Sequence, residues 1–434
     1  MTGAGSPETR LVCPGCGAVL PALSVQSTCV KCGGLLFAQH EDPPERGARL
    51  RELFARRSRE RLGLDASGVW RYRELVLPGA AQDAVTHPEG NTPLLDRAAV
   101  SRWAGITDLR LKHEGHNPTG SFKDRGMTVG ITQARRVKAR AVACASTGNT
   151  AASLAAYAAQ AGIPALVFVP AGQVASGKLA QSLAYGARTL LVRGDFDACL
   201  KLVREAALRL DVYLLNSINP FRLEGQKTIV FEALEQLGWE PPDWIVLPAG
   251  NLGNTAAFGR ALNEALRLGL ISRLPRLAAV QAAGANPFAR SFREDFARSH
   301  RVRAETIATA IRIGDPASYD RAVESIRATK GVVTEVSDAE ILEAKAIVDA
   351  SGVGCEPASA ASVAGARRLA AEGVLKPEER VVAILTGHIL KDPGLLITYH
   401  CETDPLPEHA NRPIEIEPKL SEVERVLEAT GFGA

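Results

Sequence analysis

The chain has 434 residues, 46% of them hydrophobic and 23% charged, and its 51 lysines and arginines against 48 acidic residues leave a net charge of +3. That is ordinary globular composition, long enough for two or three domains and without the charge excess that drives binding to nucleic acid or to an anionic membrane. No apolar run of about eighteen residues occurs and the N-terminal MTGAGSPETR is polar, so neither a membrane-spanning helix nor a secretory signal is expected, and the protein should be cytoplasmic with reduced cysteines.

Residues 1–10 read as a loose tail and 11–40 as a small module of their own. LVCPGCG and STCVKCGG place Cys13, Cys16, Cys29 and Cys32 in two Cys-x-x-Cys knuckles, each followed by glycine, the spacing of a zinc ribbon. Four thiolates close a tetrahedral shell and leave no position for a substrate, so the zinc is expected to be structural; a reduced ribbon that holds nothing is the competing reading. EDPPERGARLRELFARRSRERLG follows, with Leu50, Leu53 and Phe54 at helical spacing among arginines. Glu45, Glu52 and Glu60 stand where helix-surface ion pairs form, so residues 41–90 are expected to pack a solvated helix on the body rather than to track phosphates.

From Asp108 onward short apolar runs alternate with helical stretches. LRLKHEG, AVACAS, PALVFVPA, RTLLVRG and VYLLNS read as strands, with SFKDRGMTVGITQARRVK, NTAASLAAYAAQAG, SGKLAQSLAYG and DFDACLKLVREAALRL as the helices between them. After a break near NPFRLEGQKT, the runs WIVLPAG, RLAAVQAAG and VVAILTG supply a second sheet, and VERVLEATG reads as a last short helix. The alternation predicts an α/β protein with two open parallel sheets covered by helices.

In such sheets ligands bind beyond the carboxyl ends of the strands. NPTGSFKDRG crowds turn-formers around Lys123 at the mouth of a helix, next to Phe122. Desolvation and the helix dipole disfavour an ammonium there, and a neutral amine attacks aldehydes. CASTGNTAAS offers Ser146, Thr147 and Asn149 where a strand opens into a helix, a turn suited to a carboxylate or phenolic oxygen, although helix capping explains part of it. WIVLPAGNLGNTAAF carries Gly250, Asn251, Leu252, Gly253 and Asn254 from a strand into a helix, an anion cradle for a phosphate monoester rather than a dinucleotide fingerprint. GQVASGKL mimics a nucleotide P-loop, but Leu179 stands where a magnesium-binding hydroxyl is needed. An activated lysine together with a phosphate cradle points to pyridoxal phosphate.

NPTGSFKDRG, STGNTAAS, NPFRLEGQKT, PAGNLGN, TAIRIGDPAS, CEPASAAS and LTGHILKDP, in that order, resemble the threonine synthase family, pyridoxal-phosphate enzymes of the tryptophan-synthase-β fold type, and the resemblance covers roughly Asn91 to Pro393. The resemblance implies that Lys123 holds the cofactor covalently and then moves protons. Asn149 would bind the phenolic oxygen, Gly250 to Asn254 the cofactor phosphate, and Thr386 the pyridine nitrogen, a neutral partner that does not force ring protonation. Ser146, Thr147, Lys178, Asn219 and Arg222 would form the substrate pocket, with Lys178 and Arg222 suited to a substrate phosphate. A large domain of residues 91–123 and 220–405, a smaller one of 124–219, a C-terminal tail of 406–434 and a homodimer are implied as well.

The implied reaction turns O-phospho-L-homoserine and water into L-threonine and phosphate. Ile389 and Asp315 depart from the family's Gly and Asn, which puts substrate choice in question more than cofactor use. The alternatives are a β-replacement on another phosphorylated amino acid, a threonine or serine dehydratase, and a zinc-ribbon binding protein with a retired body.

Overall fold

The computed structural model describes residues 9–172, 176–194 and 196–429, without the side chains of 176–178, 196 and 197. Strands β1 (Thr9–Val12), β2 (Val19–Pro21) and β3 (Phe37–His40) form an antiparallel sheet in the order β2-β1-β3. The two cysteine knuckles make the same turn twice, Gly17 N–H to Cys13 O and Gly33 N–H to Cys29 O, both 2.8 Å. Both glycines are left-handed, at φ 70° and 74°, the conformation that frees the turn for a residue without Cβ.

This ribbon is part of the core rather than an appendage. Leu11, Leu36 and Ala38 are fully buried in the same apolar cluster as Phe231 and Phe258. Phe37 is flanked by the guanidinium groups of Arg260 and Arg321, 4.5 and 4.2 Å from its ring. The helix Gly47–Arg57 buries Leu50 and Phe54 as its spacing predicts. Its ion pairs are not those expected: Arg57 binds Glu74 at 2.6 Å, and among the described residues Glu45, Glu52 and Glu60 enter no ion pair.

The larger sheet contains β4 (Leu94–Asp96), β5 (Asp108–His113), β10 (Trp244–Pro248), β11 (Arg276–Ala282), β12 (Val332–Val336) and β13 (Arg380–Leu385), in the order β12-β11-β10-β13-β5-β4. It is parallel except for the edge strand β4. The smaller sheet, β8-β7-β6-β9, is wholly parallel and uses β6 (Ala141–Ala145), β7 (Ala165–Pro170), β8 (Arg188–Val192) and β9 (Val212–Leu214).

Alternation along each strand sends successive side chains to opposite covered faces, which is why these strands read as continuous apolar runs. Ile245 and Leu247 join the cluster under helices Pro220–Gln236 and Gly253–Arg267, whereas Trp244 and Val246 join the one under Asp338–Ala350 and Pro357–Ala371. The chain leaves the larger sheet through helix Lys123–Arg136 and returns through Pro220–Gln236. These two helices pack closely where they cross: a Cβ on Gly225 would overlap the Arg125 carbonyl oxygen, and one on Gly126 would lie 2.9 Å from Arg222 O. Residues from Asp392 form a separate unit. It carries the expected last helix, Leu420–Ala429.

Candidate active site

The turn-formers before Lys123 dock its helix onto the end of β13. Phe122 N–H donates to Thr386 O at 3.0 Å and His388 N–H to Gly120 O at 2.9 Å, closing a bridge between Ser121 and Gly387. Asp124 anchors the same turn by accepting from Thr119 N–H, the Thr119 hydroxyl and the Ser153 hydroxyl at 2.6–2.7 Å. Burial raises its carboxyl to about 6 in spite of those donors. Arg125 is fully buried between Glu114 and Glu232, each 2.7 Å away. Burial opposes its charge, but the two carboxylates outweigh burial and hold the guanidinium protonated. Lys123 is thereby fixed at the helix mouth, half-buried, with Nζ 4.0 Å from the Phe122 ring centre. Burial, with Arg222 nearby, lowers its ammonium to about 7, while Glu356 opposes the shift.

Thr386 and Asn149 meet on a residue that the sequence reading did not assign. Glu356, 4% exposed, accepts from Asn149 Nδ2 at 2.9 Å and from the Thr386 hydroxyl at 3.0 Å. Its own N–H donates to Gly387 O, and Gly387 is indispensable there, because a Cβ would lie 2.5 Å from the Glu356 carboxyl carbon. An acidic residue opening the small-residue helix PASAASVAG was the signal in the sequence. Burial raises its carboxyl above the usual range.

The Gly250–Asn254 loop runs from β10 into helix Gly253–Arg267. Leu252 is left-handed, at φ 62°, and a Cβ on Gly250 would lie 2.9 Å from Ile311 Cα. Among the described residues no acceptor pairs with the amides of Asn251, Leu252, Gly253 or Asn254. Asn254 Oδ1 and Thr255 Oγ1 are buried without partners. The Asn251 side chain is occupied, donating to Ser217 Oγ and accepting from Ala317 N–H, both at 2.7 Å.

Among the described residues Arg222, 1% exposed, gives one bond, Nη1 to Leu215 O at 3.0 Å, while Nε and Nη2 are buried without partners. Burial lowers its guanidinium to about 10. One turn further along the same helix, Gln226 Oε1 is also buried without a partner. Asn219 caps that helix, accepting from Phe221 and Arg222 N–H and donating to Leu214 O, so its amide supports the site from beneath. Ser146 accepts from Gly148 N–H at 3.2 Å in the turn that also contains Thr147. Lys178 falls on helix Ser176–Ala184, and its side chain lies outside the described residues. Ile389 packs against Gly354, and Asp315 pairs with Arg301 on the surface at 3.0 Å, 63% exposed.

The sequence profile described as pyridoxal-phosphate dependent enzyme matches residues 85–387. A threonine synthase of Methanosarcina acetivorans is 46% identical over 390 residues, 89% of this chain and 93% of the relative. One from Methanocaldococcus jannaschii is 42% identical over 96% of this chain and 98% of the relative. The chain belongs to the threonine synthase family of pyridoxal-phosphate dependent enzymes. The solved Escherichia coli threonine synthase, at 20% identity and a TM-score of 0.67, covers 97% of this chain and has the same fold.

The residues present fit the cofactor of this threonine synthase family member. Unpaired amides at a helix N-terminus match a phosphate ester, and a lysine lowered to about 7 matches an aldehyde. In the ribbon, the Sγ atoms of Cys13, Cys16, Cys29 and Cys32 all lie within 4.8 Å of one another, a spacing suited to a single tetrahedral ion.

Proposed function

We propose that the chain converts O-phospho-L-homoserine and water to L-threonine and phosphate, with its residues in the roles that the family resemblance implies. The observation that carries the choice of a phosphorylated substrate is Arg222, a buried guanidinium with two unpartnered nitrogens on the helix that crosses above Lys123. An unpaired buried cation is costly, and a phosphate ester supplies the missing acceptors.

Gly250 to Asn254 hold the cofactor phosphate, Asn149 and Thr386 the ring edge, and Lys123 the aldehyde carbon. Bound there, the cofactor supplies an electron sink for charge that builds on the substrate carbons. The Lys123 amine, whose ammonium form burial and Arg222 disfavour, removes the α proton and then the β proton. Arg222, with Lys178, holds the phosphate as it leaves the γ carbon, and Lys123 returns protons as water adds at the β carbon. Ser146 and Thr147 bind the substrate carboxylate, and Asn219 keeps Arg222 in place through the helix cap. In this reading the four cysteines carry a structural zinc, residues 124–219 form a smaller domain against 91–123 with 220–405, and the enzyme is a cytoplasmic homodimer.

Purified protein loaded with pyridoxal phosphate should release phosphate and threonine stoichiometrically from O-phosphohomoserine, with O-phosphoserine and threonine as comparison substrates. Turnover of either comparison substrate in its place would refute the assignment. Light scattering reads the homodimer.

A further inference from the structure

Arg321, on helix Tyr319–Ala328, is a buried cation without a counter-charge of its own. Its side chain is 5% exposed, and Nη2 donates to Leu36 O at 2.5 Å, in the segment that leaves the second cysteine knuckle. Nε and Nη1 are buried without partners, and among the described residues no carboxylate forms an ion pair with the group. A guanidinium only donates, so those nitrogens call for an acceptor. Burial, with Arg260 beside it, lowers the group to about 9, opposed by Glu224 and by Cys13.

The charges around it on the body do not balance it. Arg260, which also flanks Phe37, donates to Ala38 O at 2.7 Å and reaches Glu224 Oε1 only at 3.5 Å. The other oxygen of Glu224 is taken by His40 Nε2 at 3.0 Å and Lys227 Nζ at 2.6 Å. Two arginines therefore meet the ribbon with one distant carboxylate oxygen between them. An unpaired buried cation is strongly destabilising.

The ribbon supplies the missing anion. Cys13 is fully buried in the cluster that joins ribbon and body, and its sulfur is in electrostatic reach of Arg321. Cys29 has a donor from its own knuckle, Lys31 N–H at 3.4 Å from Sγ. Four thiolates around a divalent zinc leave a net double negative charge, which a knuckle of backbone amides only partly offsets.

We propose that Arg321 is the outer counter-charge of the four-thiolate zinc centre, supplied by the main body, so that the ribbon holds its metal tightly only when docked there. Arg321 is a positioning residue: it acts through the cysteine ligands and touches no metal. This rests on the structural zinc proposed above.

The test uses the full-length protein, with zinc affinity read by competition against a chromophoric chelator and the ligand set read from the spectrum of the cobalt-substituted protein. The unmodified protein should give the spectrum of tetrahedral cobalt on four thiolates. Arg321→Gln keeps a polar side chain without the charge, and its zinc dissociation constant should rise by about 10- to 100-fold, the usual scale for losing an outer-shell partner. Arg321→Lys restores the charge and should recover most of the affinity. Arg321→Met repeats the loss with an apolar stem kept against Phe37.

Melting curves separate charge from packing. Without zinc the unpaired guanidinium is a liability, so both uncharged variants should then melt no lower than the unmodified protein, yet melt lower when both are loaded with zinc. Unchanged zinc affinity in Arg321→Gln and Arg321→Met overturns the inference. So does a lower melting temperature, or failure to fold, in both zinc-free variants, because the arginine would then be structural. An unmodified protein that takes up no zinc, or binds cobalt without the four-thiolate spectrum, overturns the ribbon reading itself.

Discussion

Replacing Arg222 with glutamine separates a ligand role from a structural one. The guanidinium is 1% exposed, has no carboxylate partner among the described residues, and leaves Nε and Nη2 unsatisfied. If a substrate phosphate satisfies them, two charge-assisted hydrogen bonds of about 1.5–3 kcal/mol each are at stake. Glutamine recovers part of one, so a net loss of about 3–4 kcal/mol is expected, or about two to three decades in kcat/KM. Stability should behave differently. Glutamine removes a buried cation whose burial is costly, offsetting the packing lost beside Gly130, where the Arg222 stem lies against the glycine. Thermal unfolding of the apoprotein should therefore shift little. Steady-state kinetics with O-phosphohomoserine and a melting curve on the same sample decide the matter. A large fall in Tm with kcat/KM intact would refute the reasoning, because it would mean that Arg222 is satisfied by the fold.

Capture of pyridoxal phosphate by the apoprotein should rise with pH through about 7 and then level off, whereas an ordinary lysine would keep rising toward about 10.4. Because Arg222 contributes to the lowering, Arg222→Gln should move that midpoint to higher pH. Between pH 7 and 10 the unfolded chain binds a proton at Lys123 that the folded chain does not, so apoprotein stability relative to Lys123→Met should rise with pH by up to about 1.4 kcal/mol per unit, read by urea titration. Arg125→Met leaves Glu114 and Glu232 facing each other in the core and should cost about 3–5 kcal/mol in urea unfolding. Cys13→Ser should abolish stoichiometric zinc by elemental analysis and lower solubility, since the ribbon packs Leu11 and Leu36 into the main core.

The strands around the site were legible because both faces of each sheet are covered, so WIVLP and RVVAIL carry apolar residues on every side. Two edge strands escaped notice for the same physical reason. Leu94–Asp96 is three residues long, and Val332–Val336 is half-exposed with Thr334 and Glu335 interrupting it. The helix Pro220–Gln236 reads as a break in the sequence because it has no apolar stripe: Arg222, Glu224, Gln226, Lys227 and Glu232 are all buried. Periodicity detects a helix with one wet face, and this one has none. Lys123 and the glycine loop were legible because backbone chemistry at a helix mouth is local. Glu356 was not, since its hydrogen-bond partners are Asn149, 207 residues earlier, and Thr386, 30 residues later.

The same helix explains why a buried charge network stands behind the lysine. Glu232 accepts from Arg125 at 2.7 Å, from Lys112 at 2.6 Å and from the amides of Asn91 and Thr92 at 2.8 and 2.9 Å. One carboxylate thus ties together the strand before the active-site turn, the helix that begins at Lys123 and the segment that precedes both. Apolar packing of equal volume could hold those elements together as firmly, but it would tolerate sliding. Directional bonds from three sides do not. For the role proposed for Lys123, a displacement of about 1 Å separates an amine that reaches both substrate carbons from one that does not. On this argument the charges buried behind the lysine contribute alignment rather than stability, and the Gly225–Arg125 contact, which admits no side chain, sets the distance at which that alignment operates.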